Sequence, residues 1–327
     1  MLARADSAKS AGVSAPAGAS FPAWARAAHP PETDAEAAFL AGAALSRLDA
    51  IARENPPWAG AWRRRLVLRA AAASVLRAGR TEDEAALRDA FHLTRPGVDP
   101  GPAGRRLLAW RALSTGSAGQ WRQSFAVAAE VLDIRRDDAL RQAVDAAEAC
   151  AGGARPGPFA AARAFALARR ALTPAAGRSG GGEGDLLAAW LADAVLAQRL
   201  KWPFASPLLA ASLFSGAGPR AGGLDDSTDG AMTSRVVFAY ARAAAQACDL
   251  SADLERRAKK LHAVAPKLRA KGAGAALQAL LDDDSLSAAT KIDGLSERGA
   301  RRLFDRLVAL GAVRELTGRP TFRLYGL

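Results

Sequence analysis

Residues 295–327 read LSERGARRLFDRLVALGAVRELTGRPTFRLYGL, and the change of rhythm within this stretch decides the fold class of the C-terminus. Ser296 is a good N-cap for the run ERGARRLFDRLVAL, and Gly311 is placed to end it as the residue after the C-cap. At about 100° per residue, Ala300, Leu303, Phe304, Leu307 and Leu310 fall in one sector and form a buried stripe. Arg298, Arg302 and Asp305 fall opposite, with Arg301 and Arg306 flanking them. After Gly311 the period drops to two: AVREL, a turn at Thr317-Gly318-Arg319-Pro320, and TFRLY predict a β-hairpin.

Just upstream, AGAALQALLDD (273–283) predicts a helix with Ala276, Leu277, Leu280 and Leu281 on one side. SLSAATKI (285–292) suggests a second, short helix stopping at Asp293-Gly294. Short helix, glycine turn, longer helix is the helix-turn-helix pattern, and the hairpin that follows would be its wing. We therefore expect a winged helix-turn-helix over 272–327. Arginine can bridge guanine O6 and N7, so an exposed arginine face on the last helix suits groove reading. The candidate nucleic-acid-binding residues are Arg298, Arg301, Arg302 and Arg306 on that helix, Arg319 and Arg323 on the hairpin, and Lys291 before the turn. Lys259 and Lys260, further upstream, complete the set. An arginine face is also what an ordinary solvated helix carries, and winged units dock proteins as well as DNA.

The residues before this unit predict α-helix throughout. Ser251 with Glu255 is expected to open a basic connecting helix over 251–271, in which seven Lys and Arg residues between 255 and 272 face the single Glu255. Residues 21–250 are expected to form one multi-helix, bundle-like domain. Order should begin near Phe21–Trp24. Thr33 with Glu36 predicts a capping box before a helix over 34–53, with Phe39, Leu45, Leu48 and Ile51 among its apolar positions. Trp58, Trp62 and Leu66 mark a helix over 58–78 whose other side carries Arg63, Arg64 and Arg65. Thr81 with Glu84 is expected to cap a short helix, and RPGVDPGPAGRR leads into another that runs to about Ser114. Further helices are expected near 121–133, 137–150, 158–172, 185–200 and 231–248. Residues 1–20 are expected to be a disordered tail, and 177–184 and 215–230 surface loops. The prolines of KWPFASPLL (201–209) forbid a regular helix and predict an extended strap.

Composition agrees with a helical, anion-seeking protein. The apolar half of the chain is rich in alanine and only 6% of residues are aromatic, which favours helix over strand. A formal net charge of +12 favours nucleic acid as partner through counterion release. Cys150 and Cys248 stand alone, and His29, His92 and His262 belong to no metal-ligand spacing, so neither zinc nor a redox pair is expected. No signal sequence or membrane span is visible, and a cytoplasmic location fits. The acidic run Glu82-Asp83-Glu84 with Asp89 is expected to cap a helix and pair with Arg63–Arg65 rather than hold a metal. DPGPAGRR (99–106) could cradle an anion at a helix start but reads as a plain helix start. His92 with Asp89 lacks a nucleophile, and no phosphate-loop, nucleophile-elbow or kinase motif occurs.

Five segments resemble a bacterial family known only as domain of unknown function 1403: WAGAWRRRLVLRAAAASV (58–75), GRTEDEAALRDA (79–90), RPGVDPGPAGRRLLAWR (95–111), APKLRAKGAG (265–274) and residues 295–327. The resemblance spans about 21–327. Its last segment is also similar to the winged ends of some helix-turn-helix and Fic-type proteins, but the HPFxxGNGR signature of Fic adenylyltransferases is absent. The resemblance implies an architecture and no activity. From the residues we expect a non-enzymatic DNA-binding regulator without a cofactor, whose helical domain mediates partner contact or self-association. The alternatives are a protein-docking scaffold that does not touch DNA and, third, an enzyme of unknown activity.

Overall fold

A computed structural model describes residues 21–327 except 28, 96, 136, 174–181, 216–228, 320 and 321. The expected tail at 1–20 lies outside these residues, as does most of the two expected loops. The described chain is mainly helical. Its elements are α1 (Asp34–Glu54), α2 (Ala59–Arg77), α3 (Glu84–Leu93), α4 (Gly101–Leu113), α5 (Trp121–Val131), α6 (Asp138–Gly152), α7 (Gly157–Leu172), α8 (Glu183–Leu200), α9 (Leu209–Leu213), α10 (Asp229–Val264), α11 (Ala273–Asp282), β1 (Leu286–Ser287), α12 (Glu297–Ala309), β2 (Arg314–Glu315) and β3 (Leu324–Gly326).

The bundle is organised around α8, whose residues Asp185–Ala197 are all buried. A helix apolar on every side must be surrounded. α7 packs along it, α6 packs on both, and Trp121 and Phe125 of α5 close around Trp190. α10 lies along α1 and reaches α7 and α9. The tryptophan stripe of α2 fixes it to α10: Trp62 Nε1 donates to the Ala247 carbonyl at 2.9 Å, and Trp58 Nε1 donates to Ser251 Oγ at 3.2 Å. The proline-containing strap forms no regular helix before α9, as expected. Trp202 and Ala205–Leu208 are buried, and the Asp193 carboxylate of α8 accepts the backbone N–H groups of Leu208 and Leu209, capping α9 from another helix.

Local expectations failed where a tertiary contact offered a better partner. The helix expected to open at Ser251 is the second half of α10, a helix of 36 residues. No proline interrupts it, and the Ser251 hydroxyl is engaged by Trp58 instead of acting as a cap. The helix after Thr81 begins at Glu84 because Asp83 caps it, accepting from Ala86 N at 2.8 Å. Phe39 does not join the core; it is 60% exposed and lies beside the still more exposed Trp24, ring centroids 6.3 Å apart. The acidic run does not pair with Arg63–Arg65. Glu82 takes Arg80, Glu84 takes Arg88, and Asp89 takes Arg319.

The C-terminal unit contains a three-stranded antiparallel sheet in the order β1-β3-β2. Leu286 pairs with Tyr325, Ser287 with Leu324, and Arg314 with Gly326. The expected hairpin is therefore present as β2–β3. The short helix expected over 285–292 is not. Leu286–Ser287 is an edge strand, and Ser287 and Thr290 close the following turn through their side chains, which compete with helical backbone bonding. The unit is bolted to the bundle by charge. Asp284 sits between Arg65 and Arg88, Arg111 reaches Asp283 at 3.1 Å, and Arg65 Nη2 donates to the Leu327 carbonyl at 3.0 Å. At Gly60 a Cβ would stand 2.5 Å from Asp282 Cα, so only glycine lets α2 and the end of α11 approach this closely. His92 turns to this seam as well: its Nε2 lies 3.0 Å from Ser285 Oγ, in place of the Asp89 contact read from the sequence.

Candidate nucleic-acid interface

α12 is built as its sequence requires. Ser296 Oγ accepts the Gly299 N–H at 3.2 Å, and Gly311 follows the helix at φ 65°. Ala300, Leu303, Phe304 and Leu307 are buried, and Phe304 stacks on Tyr325 of β3 with ring centroids 4.8 Å apart. Anchoring this stripe on the central strand turns the other face to solvent. Arg298, Arg301, Arg302 and Arg306 are all exposed.

Their electrostatic situations differ. Arg298, Arg302 and Arg306 have no ion-pair partner among the described residues. Arg301 pairs with Glu297 one turn earlier at 3.1 Å, an exposed contact of modest strength. Arg323 reaches Asp305 at 3.5 Å, and the Tyr325 hydroxyl donates to the same carboxylate at 3.3 Å. Burial raises the pKa of the Tyr325 phenol, and the neighbouring Asp305 charge raises it further. Between α12, the β1 turn and β3 runs a groove of about 480 Å³, lined by Ser287, Ala288, Arg301, Phe322 and Arg323. Glu297 and Tyr325 line it as well, so both of its arginines already face a carboxylate, Arg301 that of Glu297 and Arg323 that of Asp305.

The remaining candidates are distributed differently from their expected places. Lys291 is exposed ahead of the turn into α12. Arg319 belongs to the hairpin turn but points to the bundle, where it pairs with Asp89 of α3 at 2.7 Å. It is half exposed there, with the carboxylate of α3 as its counter-ion. Lys259 and Lys260 are exposed on α10, with Lys259 bonded to Glu255.

Two features of the positive surface escaped the sequence reading. Arg314 of β2 is exposed, and its pKa is lowered by burial of its stem and by the like charges of Arg257 and Arg65. Arg257 of α10 is thus near enough for its charge to act on Arg314, which extends the positive field of α10 towards the sheet. The outward position of Arg314 in AVREL was the available signal. The second is the connector after α10. A Cβ on Gly272 would lie 2.5 Å from the Asp293 carbonyl oxygen, so the chain at Lys271-Gly272 touches the turn that leads into α12. Exposed Lys271 thus lies at the turn before α12, with exposed Lys267 and Arg269 of the expected basic run just ahead of it.

The anion cradle weighed at residues 99–106 is occupied by the protein itself. Asp99 accepts the Gly101 N–H at 3.0 Å and pairs with Arg105 at 2.6 Å. Among the described residues no group of His, Cys, Asp and Glu is arranged to hold a metal ion, and no helix is long and apolar enough to cross a membrane.

No curated protein is significantly similar to the chain. A family model described as "Protein of unknown function (DUF1403)" matches residues 13–327, nearly the whole chain. The resemblance carried by the five segments is thereby confirmed, and the chain belongs to the DUF1403 family.

Proposed function

We propose that this protein binds DNA through its C-terminal unit, with α11 to β3 acting as a winged helix-turn-helix, α12 as the groove helix and β2–β3 as the wing. The observation that supports this most is the division of α12. One face is locked to Tyr325 through Phe304, and the other presents Arg298, Arg302 and Arg306 without internal partners. Unpaired guanidiniums on a rigidly anchored helix are available to base edges and phosphates without first breaking an ion pair. Lys291, Arg301, Arg323 and the lysines of α10 and its connector would add backbone contacts. The bundle would provide self-association or a protein partner, as many regulators require.

The test is a titration of a mixed-sequence duplex with the full chain at several salt concentrations. About five phosphate contacts give a log–log slope of roughly −4 to −5. A flat response, or no binding at low salt, overturns the proposal and directs attention to a protein partner of the same unit.

A further inference from the structure

The bundle carries an open pocket of about 720 Å³, well away in sequence from the arginines of α12. It lies between α2, the loop before α3, α9 and α10. Ala72, Ala73 and Leu76 of α2, Ala211 of α9 and Leu250 of α10 supply apolar wall, and charged groups stand around it. This is within the size range of sites that enclose small molecules.

Its charges divide clearly. Asp249 accepts from Arg26 at 2.7 Å and from the Phe21 N–H at 3.1 Å. Asp253 pairs with Arg256 and Arg257. Glu82 pairs with Arg80, Glu84 with Arg88 at 3.6 Å, and Asp83 is spent as the cap of α3. Burial alone would raise the carboxyls of Asp249 and Asp253, but these arginine partners hold both below their ordinary range. Four of the five carboxylates on the wall are therefore already paired with arginines, and the fifth, Asp83, accepts a backbone N–H. Half-buried Arg69 of α2 is the exception among the lining charges: it has no hydrogen-bond or ion-pair partner among the described residues.

We infer that this pocket is a small-molecule site whose ligand carries a single carboxylate on an apolar body, with the carboxylate held by Arg69. An unpaired guanidinium beside apolar wall is stabilised by a planar anion that can accept two parallel N–H bonds. The apolar part of the ligand then displaces water from the alanine-lined wall. A cationic ligand would have to compete with arginines for four of these carboxylates and with a helix N-terminus for Asp83. The inference does not depend on DNA binding.

Calorimetric titration of the full chain with three probes of one shape tests it: 2-naphthoate, 2-naphthalenemethanol and 2-naphthylmethylammonium. Naphthoate should bind at least about tenfold more tightly than the alcohol, the gain expected of a charge-assisted contact. Arg69→Gln should bring naphthoate to the affinity of the alcohol without shifting the melting temperature. Ala72→Trp, at a partly exposed wall position, should abolish binding of both. Tighter binding of the ammonium probe overturns the inference. So does naphthoate binding that survives either substitution, or an absence of binding by all three probes.

Discussion

Arg319 of the hairpin turn and Asp89 of α3 form an ion pair at 2.7 Å, so the tip of the β2–β3 hairpin is held against the helical bundle. Arg319 is half exposed while Asp89 is mostly covered, which makes the pair a modest contribution to stability, about 0–1 kcal/mol. Its larger consequence is for anion binding. Asp89→Asn would release one cation, so duplex affinity should rise severalfold and the salt slope steepen by about one. Arg319→Ala should leave the slope unchanged. Anisotropy titrations of the two variants decide this, and a slope reduced by one in Arg319→Ala would show that the pair opens on DNA.

Replacing Arg298 or Arg302 by alanine should separate recognition from folding. Both are exposed and unpaired, so stability should change by less than about 0.5 kcal/mol. Binding to a preferred site should weaken by about 1–3 kcal/mol, with a smaller loss on random DNA. Leu307 is fully buried, and Leu307→Ala should cost about 2–5 kcal/mol of stability. Chemical denaturation and binding, measured on the same three proteins, test both halves. Arginine variants that bind like the parent while the leucine variant melts early would support the helix packing and refute the DNA reading.

Asp284 is the buried anion that joins the C-terminal unit to α2 and α3. Burial pushes its carboxyl up, but the Arg65 and Arg88 guanidiniums outweigh that and hold it below its ordinary 3.8. Removing it with Asp284→Ala leaves little-exposed Arg65 without its counter-charge and Arg88 with Glu84 alone at 3.6 Å, and should cost about 3–5 kcal/mol. The pH dependence has a definite sign. Because the folded pKa is depressed, the stabilisation is complete above the unfolded value and is lost as pH falls through the folded one. Melting temperatures between pH 6 and pH 3 should therefore fall less steeply in Asp284→Asn than in the parent. Parallel curves would show that the charge contributes nothing.

Asp193 behaves in the opposite sense. Complete burial in α8 raises its carboxyl from 3.8 to about 8, against the opposing effect of the Leu208 and Leu209 N–H groups. The folded state then binds the proton more tightly than the unfolded chain, and stability declines as pH rises from about 4 towards 8. The buried Tyr240 hydroxyl also favours the ionised form, but burial outweighs it together with the two N–H groups. Asp193→Asn keeps an oxygen for the two N–H groups and removes the titration. Its melting temperature should be flatter than the parent's between pH 5 and pH 8 and higher than the parent's at pH 8. A variant that melts lower at every pH would mean that the carboxylate is ionised in the fold.

Helical identity was legible because it is a local property. The stripe Ala300-Leu303-Phe304-Leu307, the Thr33 and Ser296 caps and the proline strap each depend on residues a turn or two apart. Exposure of the α12 arginines followed from the same arithmetic. Several of the readings that failed involve a residue with two possible partners. Ser251 could cap a helix or accept from Trp58, and Thr81 and Asp83 competed for one helix start. Leu286 could continue a helical pattern or pair with Tyr325, and long-range strand pairing won.

The sequence by itself determined a mainly helical protein of the DUF1403 family with a basic, amphipathic α12 followed by a hairpin. Periodicity, capping and net charge act over a few residues or over the whole chain, and neither requires knowing who meets whom. Only the tertiary structure decided that Arg319 pairs with Asp89, that Lys271 comes to the turn before α12, and that Arg69 is left unpaired at a pocket. Whether an arginine is free depends on the carboxylates that folding brings within a few ångströms, and that neighbourhood is assembled from helices far apart in the chain.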